Sequence, residues 1–100
     1  MIDLKHLQQR AYQNKVKQGF NTTDIYMEFC YIYGELNEAR EAYMKREENV
    51  GEELADVTIY LLGLAEILGV DLEQEILRKM DKNENRRYTQ EGGANRRVEG

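Results

Sequence analysis

The sequence predicts an all-α protein built as a four-helix bundle, and three observations carry that prediction. Leu, Glu, Lys, Arg, Gln and Ala, the better helix formers, dominate the composition. There is no proline anywhere in the chain. Apolar residues recur at alternating steps of three and four through most of the sequence. A chain of 100 residues fits one domain. That is near the lower limit for a self-sufficient core, because a small domain buries a smaller share of its surface. The bundle is therefore expected to be completed by oligomerisation.

The first helix is expected from about Asp3 to Lys17, with Leu4, Leu7, Ala11 and Val16 as a sparse apolar face and Gly19 as its stop. Asn21, Thr22 and Thr23 offer N-caps for a second helix from about Asp24 to Arg46. Its stripe of Ile25, Phe29, Ile32, Leu36, Ala39 and Tyr43 predicts one continuous buried seam. Asn49 opens the third helix, with Glu52 in the capping-box position. Leu54, Val57, Leu61, Ala65 and Leu68 form its seam. Leu62, Leu64 and Ile67 widen the apolar arc, so this helix should be the most buried; Gly69 ends it. Asp71, with Gln74 three residues on, caps a fourth helix running from Leu72 to about Tyr88. Residues 89–100 hold Gly92, Gly93 and Gly100 but little apolar material, and read as a flexible tail outside a domain of residues 1–88.

Composition excludes several functions. A net charge of −5 argues against a nucleic-acid binder, whose affinity comes largely from cationic contacts to phosphate. The only cysteine, Cys30, cannot form an internal disulfide and reads as a small packed side chain. The only histidine, His6, has no partners for a zinc site or a histidine-based triad, and the Glu-x-x-His pairs of a di-iron bundle are absent. The longest apolar stretch, Val57–Leu68, is too short for a membrane span and carries Glu66. No membrane partner and a cytoplasmic location are the default expectations.

Two acidic pairs stand out. In Glu35-Leu-Asn-Glu38 and Glu53-Leu-Ala-Asp56, residues three apart on a helix project from one face. At roughly 100° per residue, both pairs fall on the same rotational side of their seams. Two packed helices can then present four carboxylates to one point. Such a group repels itself unless a hard divalent cation neutralises it, and Mg²⁺ takes oxygen ligands of this kind. An isolated E-x-x-E pair is most often a solvated helix face, so the weight lies on two pairs occurring in adjacent helices. The fourth helix adds to it. Its seam starts with Leu72 and Ile76 and then turns polar at Lys79, Asn83 and Arg86, donors suited to phosphate oxygens. Taken alone, those residues read equally as cations complementing a helix C-terminus. Gly34 and Gly63 lie inside helices, which predicts close helix approach or room beside the acids. Most of the seven tyrosines read as packing or subunit-contact residues.

With these residues in view, the sequence resembles the MazG-like, all-α nucleotide pyrophosphohydrolases. That family is marked by E-x-x-E, a spacer, and E-x-x-D, here Glu35/Glu38 and Glu53/Asp56, followed by K-x-x-x-N-x-x-R, here Lys79, Asn83 and Arg86. The likeness runs from about Lys15 to Tyr88. It departs at Ile32, where some members carry a further Glu that is found here only at Glu28, and at Glu91, where close relatives carry a His in a basic tail. Arg96 and Arg97 are the nearest substitutes for that tail. The resemblance implies Mg²⁺, or Mn²⁺ in its place, held by Glu35, Glu38, Glu53 and Asp56. It implies a nucleoside triphosphate substrate, cleaved between the α and β phosphates to a monophosphate and pyrophosphate, with house-cleaning of non-canonical nucleotides as its purpose. Glu35 or Glu38 would orient or deprotonate the attacking water, and Lys79 and Arg86 would hold the phosphate tail. A homodimer or homotetramer is implied as well. The rival readings are a catalytically silent relative that binds nucleotide or metal, and a helical interaction module whose acids are merely solvated.

Overall fold

The computed structural model describes residues 1–86 in full and the backbone of two further segments, 88–91 and 94–97. Four helices follow one another: α1 (Leu4–Gln18), α2 (Ile25–Met44), α3 (Val50–Ile67) and α4 (Leu72–Glu84). The chain is all-α in its packed body, as its periodicity predicts.

The helix ends follow short-range chemistry. Asp3, Asp24 and Asp71 are extended N-caps whose carboxylates accept from the backbone N–H of His6, Met27 and Gln74. Gly19 closes α1 with φ 72°, in the left-handed region that only glycine enters freely. Asn49 departs from expectation. It makes no capping bond to α3, because its side-chain amide donates to Glu53 Oε1 at 3.1 Å instead. α4 is also shorter than expected. Asn85 ends it, donating its side-chain amide to the Asp81 carbonyl at 2.8 Å, so Arg86 lies beyond the helix.

α3 is the centre of the fold, packed by α2 on one side and α1 on the other, while α4 rests chiefly on α1. The core is small: its buried apolar residues are Ala39 and Ala42 of α2 and Leu62, Leu64 and Ala65 of α3. Buried Gln8 pins the far end, donating to Glu66 Oε1 at 2.9 Å and the Val70 carbonyl at 2.7 Å, and accepting from Leu72 N–H at 3.3 Å. None of its polar atoms is wasted, which is what a buried amide requires.

The predicted seam of α2 splits in two. The shielded line is Ile25, Glu28, Ile32, Glu35, Ala39 and Ala42, whereas Phe29, Leu36 and Tyr43 are exposed. On α3, Leu54, Leu61 and Leu68 are likewise 51%, 43% and 48% exposed. Small alanines and the acid-bearing line face the partner helix, and the larger apolar residues face outward at heptad spacing. Val16 is exposed as well, and Lys15 takes its place on the inner face of α1. Cys30 is exposed rather than packed.

The segment read as an irregular tail contains two antiparallel strands, β1 (Tyr88–Glu91) and β2 (Ala94–Arg97), paired in register from Tyr88↔Arg97 to Glu91↔Ala94. The sequence signal was Gly92-Gly93, a two-residue hairpin connection. Those two glycines and residues 98–100 lie outside the described residues, so the flexibility expected there is not described.

Candidate metal centre

The acids are positioned by the α2–α3 packing. Glu35 and Glu38 occupy consecutive turns of α2, and Glu53 and Asp56 the first turns of α3. The buried Ala39 and Ala42 lie on the same shielded line of α2 as Glu35. One oxygen each of Glu35, Glu38 and Glu53 lies within 4.8 Å of the others. Glu35 and Glu53 are half-buried and Glu38 is exposed, so the group opens to solvent on one side. Asp56 stands outside that trio, yet its charge bears on both Glu35 and Glu53.

The electrostatics are those of an uncompensated anionic site. Desolvation raises the Glu35 carboxyl above its ordinary value, and the neighbouring Glu38, Asp56 and Glu53 raise it further. Glu53 is raised by desolvation and then by Glu38 and Asp56. Glu53 supplies the most telling detail. Its Oε1 accepts from Asn49, but its Oε2 is shut off from solvent with no hydrogen-bond partner, as is Asn49 Oδ1. A buried carboxylate oxygen without a partner is costly. Several carboxylates with an orphaned oxygen among them are the donor set that a hard divalent cation takes.

One end of the cluster is walled by aromatic rings. Tyr31 lies one turn before Glu35 and Tyr60 one turn after Asp56, and the two meet edge to face with centroids 6.3 Å apart. The Tyr60 hydroxyl is pushed up by burial and by the charges of Glu35, Glu28 and Asp56.

The acids stand on α2 and α3, whereas Lys79 and Asn83 stand on α4 and Arg86 just beyond it. The cluster draws on α2 and α3, and α4 lies chiefly against α1. Lys79 and Asn83 are exposed. Arg86 Nη1 donates to Asn83 Oδ1 at 2.8 Å, so those two donors form one local unit. The side chains of Arg96 and Arg97 lie outside the described residues.

A buried ion pair, which the motif spacing did not predict, adjoins Tyr60. It joins Lys15 of α1 to Glu28 of α2, and the Lys15 ammonium lies 4.8 Å from the centre of the Tyr60 ring. Helical spacing could have found both residues. Lys15 continues the Leu4, Leu7, Ala11 line, and Glu28 falls between Ile25 and Ile32 at helical steps. A charge on an apolar line was the signal.

A search of the curated proteins and a search of the solved structures each returned no match. The model of the MazG-like family matches residues 30–98, a span that takes in both acidic pairs, the fourth helix and the hairpin.

Proposed function

The chain belongs to the MazG-like family, and from that premise we propose that it is a Mg²⁺-dependent nucleoside triphosphate pyrophosphohydrolase. It would cleave an NTP or dNTP between the α and β phosphates, releasing a nucleoside monophosphate and pyrophosphate, in the service of clearing non-canonical nucleotides. The observation that carries this reading is the convergence of Glu35, Glu38 and Glu53 around an orphaned Glu53 oxygen.

Glu38, Glu53 and Asp56, with Glu35 beside them, would hold Mg²⁺, or Mn²⁺ in its place. The ion supplies charge neutralisation, polarisation of phosphoryl oxygens and a lowered pKa for water. Glu35 is suited to general-base work. It is half-buried, its proton affinity is raised by desolvation and by three neighbouring acids, and it adjoins the open side of the cluster. Glu38 stands beside it, one oxygen of each within 4.8 Å of the other.

The phosphate tail needs cations that the acids do not supply. Lys79, Asn83 and Arg86 are donors of the right kind; in one chain Lys79 and Asn83 lie on a helix packed chiefly against α1, and Arg86 lies just beyond it. A second copy would bring them, or another donor set, to the cluster. The exposed line of Phe29, Leu36, Tyr43, Leu54, Leu61 and Leu68 is the face on which a homodimer or homotetramer would close.

The test is pyrophosphate release from a panel of ribo- and deoxyribonucleoside triphosphates, with Mg²⁺ and with chelator, beside Glu53→Gln. Metal-dependent release that is lost in the variant supports the reading. No release from any nucleotide by folded protein overturns the enzyme and leaves a silent relative.

A further inference from the structure

The Lys15–Glu28 pair takes no part in the chemistry proposed above, and it is expensive. Glu28 is 0% exposed and the Lys15 side chain 8%. Removing both charges from water costs more than their attraction commonly returns, and apolar pairs of similar volume often serve stability as well or better. Net stability is therefore a weak reason for the pair. Its geometry suggests a better one.

The carboxylate is fully engaged: Lys15 Nζ donates to Oε1, and Asn21 Nδ2 donates to Oε2 at 2.9 Å. The same ammonium lies over the Tyr60 ring. Three helices thus meet at one cation, and the α1–α2 connection joins its carboxylate partner through Asn21. On the shielded line of α2, Glu28 lies two turns before Glu35; on α3, Tyr60 lies one turn after Asp56. Lys15 also explains Gly63. A Cβ at that position would stand 2.7 Å from Lys15 Cε and 3.3 Å from its Cδ. An interior helical glycine is unfavourable, and here it leaves the channel through which the lysine stem crosses α3. Lys15 and Tyr60 wall two cavities, of about 330 Å³ beside Glu28 and about 250 Å³ beside Asp56, so Lys15 and Asp56 line one space.

We propose that Lys15 and Glu28 are positioning residues: a buried clamp that sets the spacing of α2 and α3 at the acidic cluster by fixing Tyr60. The proposal rests on the metal-centre reading above. The clamp touches neither the cation nor the triphosphate, and it acts through the placement of Glu35 and Asp56.

The test uses the full chain and Mg²⁺ alone as the probe, by titration calorimetry, with kinetics in parallel. Lys15→Met and Glu28→Leu each leave a buried charge unpaired and lower Tm. The double variant K15M/E28L regains Tm, yet binds Mg²⁺ about tenfold more weakly, as loss of a supporting partner does at metal sites. Its kcat falls by about tenfold, while KM at saturating Mg²⁺ stays within about twofold. A double variant with recovered Tm, wild-type Mg²⁺ affinity and wild-type kcat overturns the proposal. So does a loss carried wholly by KM, which would place Lys15 on the substrate. Gly63→Ala provides the test if the double variant does not regain Tm. It keeps both charges but displaces the lysine stem, and about the same loss of Mg²⁺ affinity is expected; unchanged affinity overturns the clamp. A wild-type chain that binds no Mg²⁺ overturns the metal centre and the clamp together, whereas failure confined to the variants leaves the centre standing.

Discussion

Helices α3 and α4 carry the two halves of the predicted site, and the fold treats them differently. α3 is packed on both sides, by α1 and α2, and its Glu53 and Asp56 face a neighbouring helix that brings Glu35 and Glu38. α4 rests chiefly on α1, buries none of its residues, and ends before Arg86. The acids are thus placed by packing, and their geometry is a property of the single chain. Of the cations, Lys79 is carried by a helix packed chiefly on α1, and Arg86 follows that helix. A metal centre that needs oxygens within a few ångströms of one another must be built on rigid elements. A phosphate-binding arm can be brought in by assembly or by substrate.

That difference sets the order of effects. Glu53→Gln and Asp56→Asn are expected to lower pyrophosphate release by about 100-fold or more, the scale of removing one preorganised electrostatic group. Neither should lower Tm in chelator, because each removes a charge from a self-repelling group. Lys79→Ala is expected to cost about tenfold in kcat/KM, the worth of one charge-assisted hydrogen bond. A Lys79→Ala loss as deep as that of Glu53→Gln, measured in the same assay, would break the distinction between the two halves.

Assembly sharpens it. Leu61→Glu and Leu68→Glu place charges on the exposed heptad line, away from the acidic pairs. Each is expected to reduce the molar mass seen by light scattering to that of a smaller species. If the mass does not change, the outward apolar line is not the contact between copies.

These same elements mark what could be read in advance. The cap at Asp71 and the stop at Gly19 depend on neighbours within four residues, and they are where the sequence places them; the cap of α2 is Asp24 rather than Asn21, Thr22 or Thr23, because its carboxylate is the one that reaches the Met27 N–H. The two acidic pairs were legible because three-residue spacing fixes a shared face, and adjacent helices meeting is the common case. The buried line of α2 was not legible. Ile25, Ile32 and Ala39 belong to both candidate lines, and hydrophobicity favoured Phe29, Leu36 and Tyr43 over Glu28, Glu35 and Ala42. Helix contact was decided by small residues and by a paired charge, and the pair is visible only when α1 lies beside α2. The hairpin at 88–97 was missed because Gly92-Gly93 was weighed as looseness rather than as a turn.

Acidity tests the packed half without any variant. Glu35 and Glu53 bind protons more tightly when folded than at their ordinary value of 4.5. Between that value and their raised ones, the folded chain holds more protons than the unfolded chain, so these groups make stability fall as pH rises. In chelator, their contribution to Tm should therefore increase as pH is lowered from about 7 toward about 5. Saturating Mg²⁺ keeps the carboxylates ionised and should flatten or reverse that trend. A chelated protein whose pH trend matches that of the Mg²⁺-loaded form would mean that no cation sits among these acids.

The smallest expected effect separates two glycines. A Cβ at Gly34 would meet nothing within 4 Å in the single chain, whereas one at Gly63 would strike the Lys15 stem. Gly34→Ala should stabilise the isolated chain by about 1 kcal/mol, since alanine is the better helix former, and Gly63→Ala should destabilise it. Gly34 lies between Tyr33 and Glu35, on the side of α2 that the single chain leaves open. Thermal unfolding at several protein concentrations makes the comparison informative. If Gly34→Ala lowers Tm, and does so more at high concentration, the open space beside Gly34 is occupied in the assembly by a second copy, close enough to need a residue without a side chain.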